Sequence, residues 1–215
     1  MSVIHTTNIE EFKSFVNQTN QLTVLERKVP PKASSFFNKL IKINFTIFGK
    51  VHKDRTIEDI KFILDEEFTK NIKNDVFYKT WINDISQLCK LFCDLENSSY
   101  ISIWLSSKRG CKRYHIDNVP KRLLVTYAGQ GTEWIPDEDA DREAYANGDT
   151  NENIIKNNSA KKFIREWDVA IFKGGPNGLL HRTPDVALNG PSILMRLDYA
   201  KYWDQILTNH EKYYA

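Results

Sequence analysis

Residues 111–120 read CKRYHIDNVP and follow directly on Gly110. Side chains alternate faces along a β-strand, so on a strand His115 and Asp117 point one way while Tyr114 and Ile116 point the other. One imidazole nitrogen and one carboxylate oxygen then reach a common ion. A His-x-Asp pair also arises by chance as two polar residues on an ordinary strand, so its meaning depends on what else in the chain can meet it.

Of the other histidines, His5, His52 and His210 lie in the helical part or near the termini, whereas His181 sits in GLLHRTP, a short strand after Gly178. Two histidines and one carboxylate on one face of an octahedral ion leave three positions open, the usual way of holding non-haem Fe(II) for oxygen chemistry. The same donors also make a sound Zn²⁺ site. Further on, GPSILMRLDYA puts Arg196 inside an apolar strand. A buried guanidinium is costly without a carboxylate to accept its forked donors. Either Asp198, on the same strand face, is that carboxylate, or a carboxylate co-substrate is.

The surrounding pattern is α+β. Before residue 99 the periodicity predicts helices: NIEEFKSFVNQ with Asn8 as N-cap and Glu11 three residues on, PPKASSFFNKLIKI, TIEDIKFILDEEFTKNI with Thr56 as cap and Asp59 in the capping-box position, and VFYKTWINDISQLCKLFCDLENS. In the last of these, Phe77, Trp81, Ile85, Leu88, Phe92 and Leu95 form one apolar stripe, the mark of a core-facing helix. From residue 99 the rhythm shortens to β-rich runs bounded by Gly, Pro and Asn: YISIWLSS, CKRYHID, RLLVTYAG, TEWIP, WDVAIFKG, GLLHRTP and SILMRLDYA. Such strands with no helices between them point to a closed or sandwiched antiparallel structure, buttressed on one face by the helices. Residues 137–162 interrupt them with an Asn- and Asp-rich stretch, either a mobile surface loop or one that contacts substrate.

Composition bounds the rest. The 215 residues suffice for one sizeable core, so the expectation is a single domain over 1–215, with helical support in 1–98 and a β core in 99–204. Thirty basic and 28 acidic residues leave a net charge of +2, which gives no overall field toward nucleic acid or an anionic membrane. No apolar run is long enough to span a bilayer and the N-terminal residues lack the regions of a signal peptide, so the expected location is cytoplasmic. Lys108, Arg109, Lys112, Arg113, Lys121 and Arg122 do concentrate beside the His-x-Asp pair. They are either a solvated strand edge or an attractor for an anionic substrate. Three cysteines cannot all pair within one chain; Cys89, Cys93 and Cys111 are either small apolar residues or, by their spacing, zinc ligands.

The order YHID, RLLVTYAG, TEWIP, WDVAIFKGG, GLLHRTP, ILMRLDYA resembles the double-stranded β-helix (jelly-roll) core of Fe(II)- and 2-oxoglutarate-dependent oxygenases. Within it, RGCKRYHIDNVPKRLL and GLLHRTP are similar to an uncharacterised bacterial domain family. The resemblance covers roughly residues 100–200. It implies iron ligation by His115, Asp117 and His181, with Arg196 on the distal carboxylate of 2-oxoglutarate. It also makes Tyr127 or Thr126, on opposite faces of LLVTY, the hydroxyl that supports the co-substrate, since only one of them can face the interior. Hydroxylation of a small molecule or peptide is the implied reaction. A cupin-like enzyme using Fe, Mn or Zn without 2-oxoglutarate, and a zinc-binding module without turnover, remain alternatives. Arg182, beside His181, is expected to point away from the metal on a regular strand, as a structural or substrate-facing residue, and Glu133, next to Trp134, is a candidate substrate contact that strand parity alone does not decide.

Overall fold

The apolar stripe from Phe77 to Leu95 becomes the longest helix of the chain, Tyr78–Glu96, and Trp81, Ile85 and Phe92 on it are fully buried. Asn97 ends it in the left-handed conformation that a helix C-terminus favours, with φ 48°. The structure, a computed structural model, describes residues 3–16, 18–65 and 67–202. In chain order the elements are β1 (Val3–Thr6), α1 (Ile9–Val16), β2 (Leu22–Leu25), α2 (Ala33–Leu40), β3 (Thr46–His52), α3 (Thr56–Asp65), α4 (Lys70–Lys73) and α5 (Tyr78–Glu96). They continue with β4 (Tyr100–Ser106), β5 (Lys121–Ala128), β6 (Glu133–Trp134), α6 (Arg142–Ala146), α7 (Asn151–Ile154), β7 (Lys162–Phe163), β8 (Val169–Lys173), β9 (His181–Arg182), α8 (Asp185–Asn189) and β10 (Ile193–Asp198). His210 lies outside the described residues.

Two sheets organise these elements. A seven-stranded sheet runs β1-β2-β8-β5-β10-β4-β3, antiparallel throughout except for the parallel pair β1/β2. A three-stranded antiparallel sheet runs β7-β6-β9. One face of the large sheet, with Leu123, Val125, Tyr127 and Met195, packs on the helices through Phe36, Phe37, Trp81 and Phe92. Its other face, with Leu22, Val24, Leu124, Phe172 and Leu194, meets Trp134, Ile164 and Leu179 from the side of the small sheet. Each large apolar side chain buried this way contributes about 1.5–3 kcal/mol. The α+β class and the helical buttress on one face are both present.

Three expectations are corrected. The first hundred residues are not only helical: β1, β2 and β3 join the large sheet, which is therefore not confined to the C-terminal half. LTVL is buried at all four positions and shows no alternation, while in β3 Ile47 and Val51 point inward from an otherwise exposed strand. The TIEDIKFILDEEFTKNI helix stops at Asp65 and a separate turn, α4, follows. Thr56 is not its cap: the hydroxyl is buried against that of Ser86, and a 3₁₀ turn over Lys53–Arg55 lets Asp59 accept the His52 N–H at 2.8 Å. Third, CKRYHID is not a strand. Its one sheet-like contact is an isolated bridge between His115 and His181, because Cys111 is left-handed (φ 59°) and the Tyr114 N–H is taken by the Asn151 side chain.

The polar stretch 137–162 holds α6, α7 and two 3₁₀ turns, tied by a bridge between Ala140 and Ile155. A small apolar cluster of Tyr114, Ile135, Ala140, Ile154, Ile155 and Leu180 anchors it beneath the His-x-Asp loop.

Candidate metal centre

His115 and His181 are brought together by backbone hydrogen bonds before any side chain is considered. The His115 N–H donates to the His181 carbonyl at 3.0 Å, and the His181 N–H returns the bond at 3.1 Å. The Asp117 segment is pinned separately. Its carbonyl accepts the Gly175 N–H at 3.0 Å, and the Pro120 carbonyl accepts the Gly174 N–H at 3.2 Å. Position 174 must be glycine for this approach, since a Cβ there would stand 2.0 Å from the Val119 carbonyl oxygen and 2.3 Å from that of Asp117.

The three side chains converge with their ligand atoms inward, each within 4.8 Å of the others. His115 Nε2 lies 3.9 Å from Asp117 Oδ1, and His181 Nε2 lies 3.3 Å from Asp117 Oδ2. Both Nδ1 atoms face carbonyl oxygens, Arg113 at 3.1 Å and Leu179 at 2.9 Å. A carbonyl only accepts, so Nδ1 carries the proton in each ring and Nε2 presents a lone pair. This is how metal-binding histidines are held in one tautomer. The Phe172 ring, 4.4 Å from that of His181, fixes its plane.

Electrostatics agree with that geometry. Burial, then the neighbouring His181, lowers the pKa of His115 to about 4, so it is neutral at physiological pH. Burial alone would raise the pKa of Asp117, but the positive charge around it, the Arg122 guanidinium included, holds its carboxyl well below the usual range. Arg122 Nη1 donates to Asp117 Oδ1 while its Nε donates to Asp198 Oδ1 at 2.7 Å. Asp117 Oδ2 is left buried, with no hydrogen-bond donor among the described residues. Two lone-pair nitrogens and a buried, undonated carboxylate oxygen fit a divalent cation.

The other sequence-predicted residues divide. Arg196 lines the same cavity, but its Nε lies 2.8 Å from Asp198 Oδ2 and its guanidinium stacks on Trp104 and Tyr202, so the carboxylate on its own strand is its partner. Tyr127 is separated from the site: it is on the helix-facing side of β5, fully buried, and its hydroxyl donates to Asp84 at 2.8 Å. Thr126 is buried on β5 beyond Leu124, and the residues around the triad include Leu124 and Arg122 but not Thr126. Glu133 is not open to substrate either. Its carboxylate takes the Tyr114 hydroxyl and Arg182, whose Nε lies 2.8 Å away, and Arg182 also grips Asp185 at 2.8 Å. Cys89 and Cys93 lie in the helix-side core, away from the triad, and burial raises the thiol pKa of both. Cys111 is exposed at the cavity rim.

Two arginines of the basic run take parts that the sequence did not assign. Arg122 aims Asp117, as described. Arg109 reaches the cavity from the loop after β4 and donates to Ser192 Oγ at 3.2 Å, Thr132 Oγ1 at 3.4 Å and the Gln130 carbonyl at 3.5 Å. Strand parity on β5 could have singled out Arg122, which shares a face with Leu124. No sequence signal separates Arg109 from Lys108 or Lys112.

Solved structures similar to this chain include a dioxygenase for auxin oxidation in rice, at 9% identity over 92% of this chain and 82% of that one, with a TM-score of 0.47. HygX from Streptomyces hygroscopicus with iron bound shares 13% identity over 90% of this chain and 86% of its own, with a TM-score of 0.43. The Fe(II)/α-ketoglutarate-dependent dioxygenase TqaL shares 8% over 88% and 85%, with a TM-score of 0.45. No curated protein matches the sequence. A family model does, over residues 6–198, and the chain therefore belongs to the DUF1826 family, described as a protein of unknown function.

Proposed function

We propose that this chain is a non-haem Fe(II)- and 2-oxoglutarate-dependent oxygenase that hydroxylates a small-molecule or peptide substrate. The observation that carries the proposal is the convergence of His115 Nε2, His181 Nε2 and a buried, undonated Asp117 Oδ2, with both Nδ1 protons already committed to carbonyls. On this reading the two sheets form a double-stranded β-helix core and the triad sits at its mouth. Bound Fe(II) would supply oxygen activation coupled to oxidative decarboxylation of 2-oxoglutarate. The chain's part is to hold two neutral imidazoles and one carboxylate on a single side, leaving the other side for ligands. Arg122 keeps Asp117 ionised and oriented, and Phe172 and Leu124 keep the wall beside it apolar. A groove of about 630 Å³ past Asn118, Tyr145 and Tyr199 opens the site to a substrate.

A second reading has its own observation. Arg196 is paired with Asp198, as a cupin-like enzyme working with Fe, Mn or Zn but without 2-oxoglutarate would have it. Anaerobic addition of Fe(II) and then 2-oxoglutarate to metal-free protein separates the two. A visible charge-transfer band that is absent in His181→Ala supports the oxygenase. Iron uptake without a band favours the cupin-like enzyme, and uptake of zinc alone favours a binding module.

A further inference from the structure

We propose that Cys111 is a covalent-modification site: its thiol takes a small disulfide that carries carboxylates, and the adduct closes the mouth of the triad cavity. The thiol chemistry is independent of the function proposed above, and only the closing of a metal site rests on it. Cys111 is exposed, whereas Cys89 and Cys93 are buried in the helix-side core. It lines both the cavity around His115, Asp117 and His181 and the groove of about 630 Å³ that opens that cavity, so it stands where the two join. The Thr183 N–H donates to its carbonyl at 3.1 Å, which ties this position to the segment two residues beyond His181.

The charge around this thiol has one sign. Cys111 sits in KRGCKR, with Lys108 and Arg109 before it and Lys112 and Arg113 after it. None of the four pairs with a carboxylate among the described residues; Arg113 directs its donors at the Asp149 and Tyr145 carbonyls. Of the residues lining the cavity and the groove only Asp117 is a carboxylate, and Arg122 holds it. Arg109 is a second and independent sign that an anion belongs here. Its Nε is buried with no acceptor among the described residues, and its other donors reach only neutral oxygens of Ser192, Thr132 and Gln130. Burial lowers the pKa of Arg109 to about 10, and a negative charge on Cys111 opposes that fall, so sulfur and guanidinium lie within electrostatic reach of each other. Accessible thiols beside Lys and Arg are the reactive ones, because the thiolate is the nucleophile. The same cations draw an anionic reagent toward it.

In the step itself the Cys111 sulfur, as thiolate, attacks one sulfur of the disulfide. That S–S bond breaks, a new one to Cys111 forms, and the displaced thiol leaves with the electron pair and takes up the proton that Cys111 gave up. The disulfide is the oxidant, and no other co-reactant enters. The carboxylates of the attached half then lie among Arg109, Lys112 and Arg113, across the way to His115 and His181.

The test follows the reaction of the full, metal-free chain with dithiobis(nitrobenzoate), which carries two carboxylates, and with uncharged dithiodipyridine. Both rates are referred to those of a cysteine peptide of no net charge. One thiol of the folded chain should react fast, and none in Cys111→Ser. Its preference for the anionic reagent should exceed that of the peptide by about tenfold or more and shrink with added salt. Lys112→Gln and Arg109→Gln should each reduce the preference and leave the dithiodipyridine rate near that of wild type, with far-ultraviolet circular dichroism unchanged. Lys112 is exposed, so its variant decides the matter even where Arg109→Gln does not fold. Co(II) uptake at the triad, followed by visible absorption, should be lost in the nitrobenzoate-labelled chain and return on reduction with dithiothreitol. Cys111→Ser treated alike should take up Co(II) throughout. A preference equal to that of the peptide, or one that both variants keep, overturns the site, and a labelled chain that takes up Co(II) at the unlabelled rate overturns the closing. If the unlabelled chain takes up no Co(II), the metal reading fails and the closing falls with it, while the reagent preference still decides the thiol site.

Discussion

His181 Nε2 and Asp117 Oδ2 stand 3.3 Å apart, and with the His181 Nδ1 proton directed at the Leu179 carbonyl they oppose lone pair to lone pair. Two buried acceptors at this distance repel unless a cation sits between them. A proton would serve, giving an imidazolium–carboxylate pair. A divalent ion serves better, because it also takes the lone pair of His115, which burial keeps neutral. The backbone bridge between the two histidines fixes their spacing, so the site is preorganised before any ion arrives.

Metal binding should therefore stabilise the fold by mass action, by about 2.7 kcal/mol when the free ion is at one hundred times its dissociation constant. Thermal unfolding with and without Fe(II) or Zn(II) measures this. His181→Ala and Asp117→Asn should abolish the shift. A wild type that melts at one temperature regardless of metal would make the triad a structural ion pair.

Arg122→Gln tests the residue that aims Asp117. It leaves Asp117 and Asp198 buried with less compensation, so stability should fall by about 3–5 kcal/mol, and metal affinity about 10- to 100-fold. Arg122→Lys restores the charge but not the fork and should recover part of both. If metal affinity in Arg122→Gln equals that of wild type, the backbone alone orients Asp117.

The triad was legible in the sequence because the alternation argument needs only that His115 and Asp117 share a side, and they do so in a loop as they would in a strand. Its setting was less legible. Nothing within RYHID shows that its hydrogen bonds go to Gly175, to Asn151 and to one isolated bridge with His181 rather than to a strand ladder. The basic run announced positive charge near the site, yet which cation finds a carboxylate depends on contacts such as Arg122 with Asp198, 76 residues away. The strand β2 was hidden because a four-residue run buried throughout has no period to detect. For Tyr127 against Thr126, the pattern gave two faces and only the helix layer decides which one packs on Phe37 and Trp81.

That decision is testable. Tyr127→Phe removes the hydrogen bond to Asp84 within the helix-side core and should cost about 1 kcal/mol of stability. Metal uptake and keto-acid binding should be unchanged. A changed keto-acid affinity would place the phenol in communication with the site despite its burial on the opposite face of β5.

Gly174→Ala should couple stability to metal affinity. The added Cβ collides with the Val119 and Asp117 carbonyls, costing about 1–3 kcal/mol and displacing the loop that carries Asp117, so metal binding weakens as well. Gly148→Ala is the control. It meets nothing within 4 Å, suffers only from its positive φ of 83°, and should cost about 1–2 kcal/mol while leaving metal binding intact. Equal metal affinity in the two variants would show that the close approach at Gly174 does not position Asp117.

Acid sensitivity of the metal-free protein should report on His115. Its pKa falls from 6.5 to about 4 on folding, chiefly through burial. Between those values the unfolded chain binds the proton more readily than the folded one, so stability rises with pH across the window and levels off above 6.5. One such group gives a slope of at most about 1.4 kcal/mol per pH unit. His115→Gln removes the titrating ring and should flatten the urea-unfolding stability over that range. The lowered pKa of Asp117 acts elsewhere: its contribution is present above the ordinary carboxylate pKa of 3.8 and lost only as the pH falls below it, so the two effects separate on the pH axis. A slope between pH 4 and 6.5 that survives in His115→Gln would assign the acid sensitivity to another histidine and leave His115 without evidence of a desolvated, neutral state.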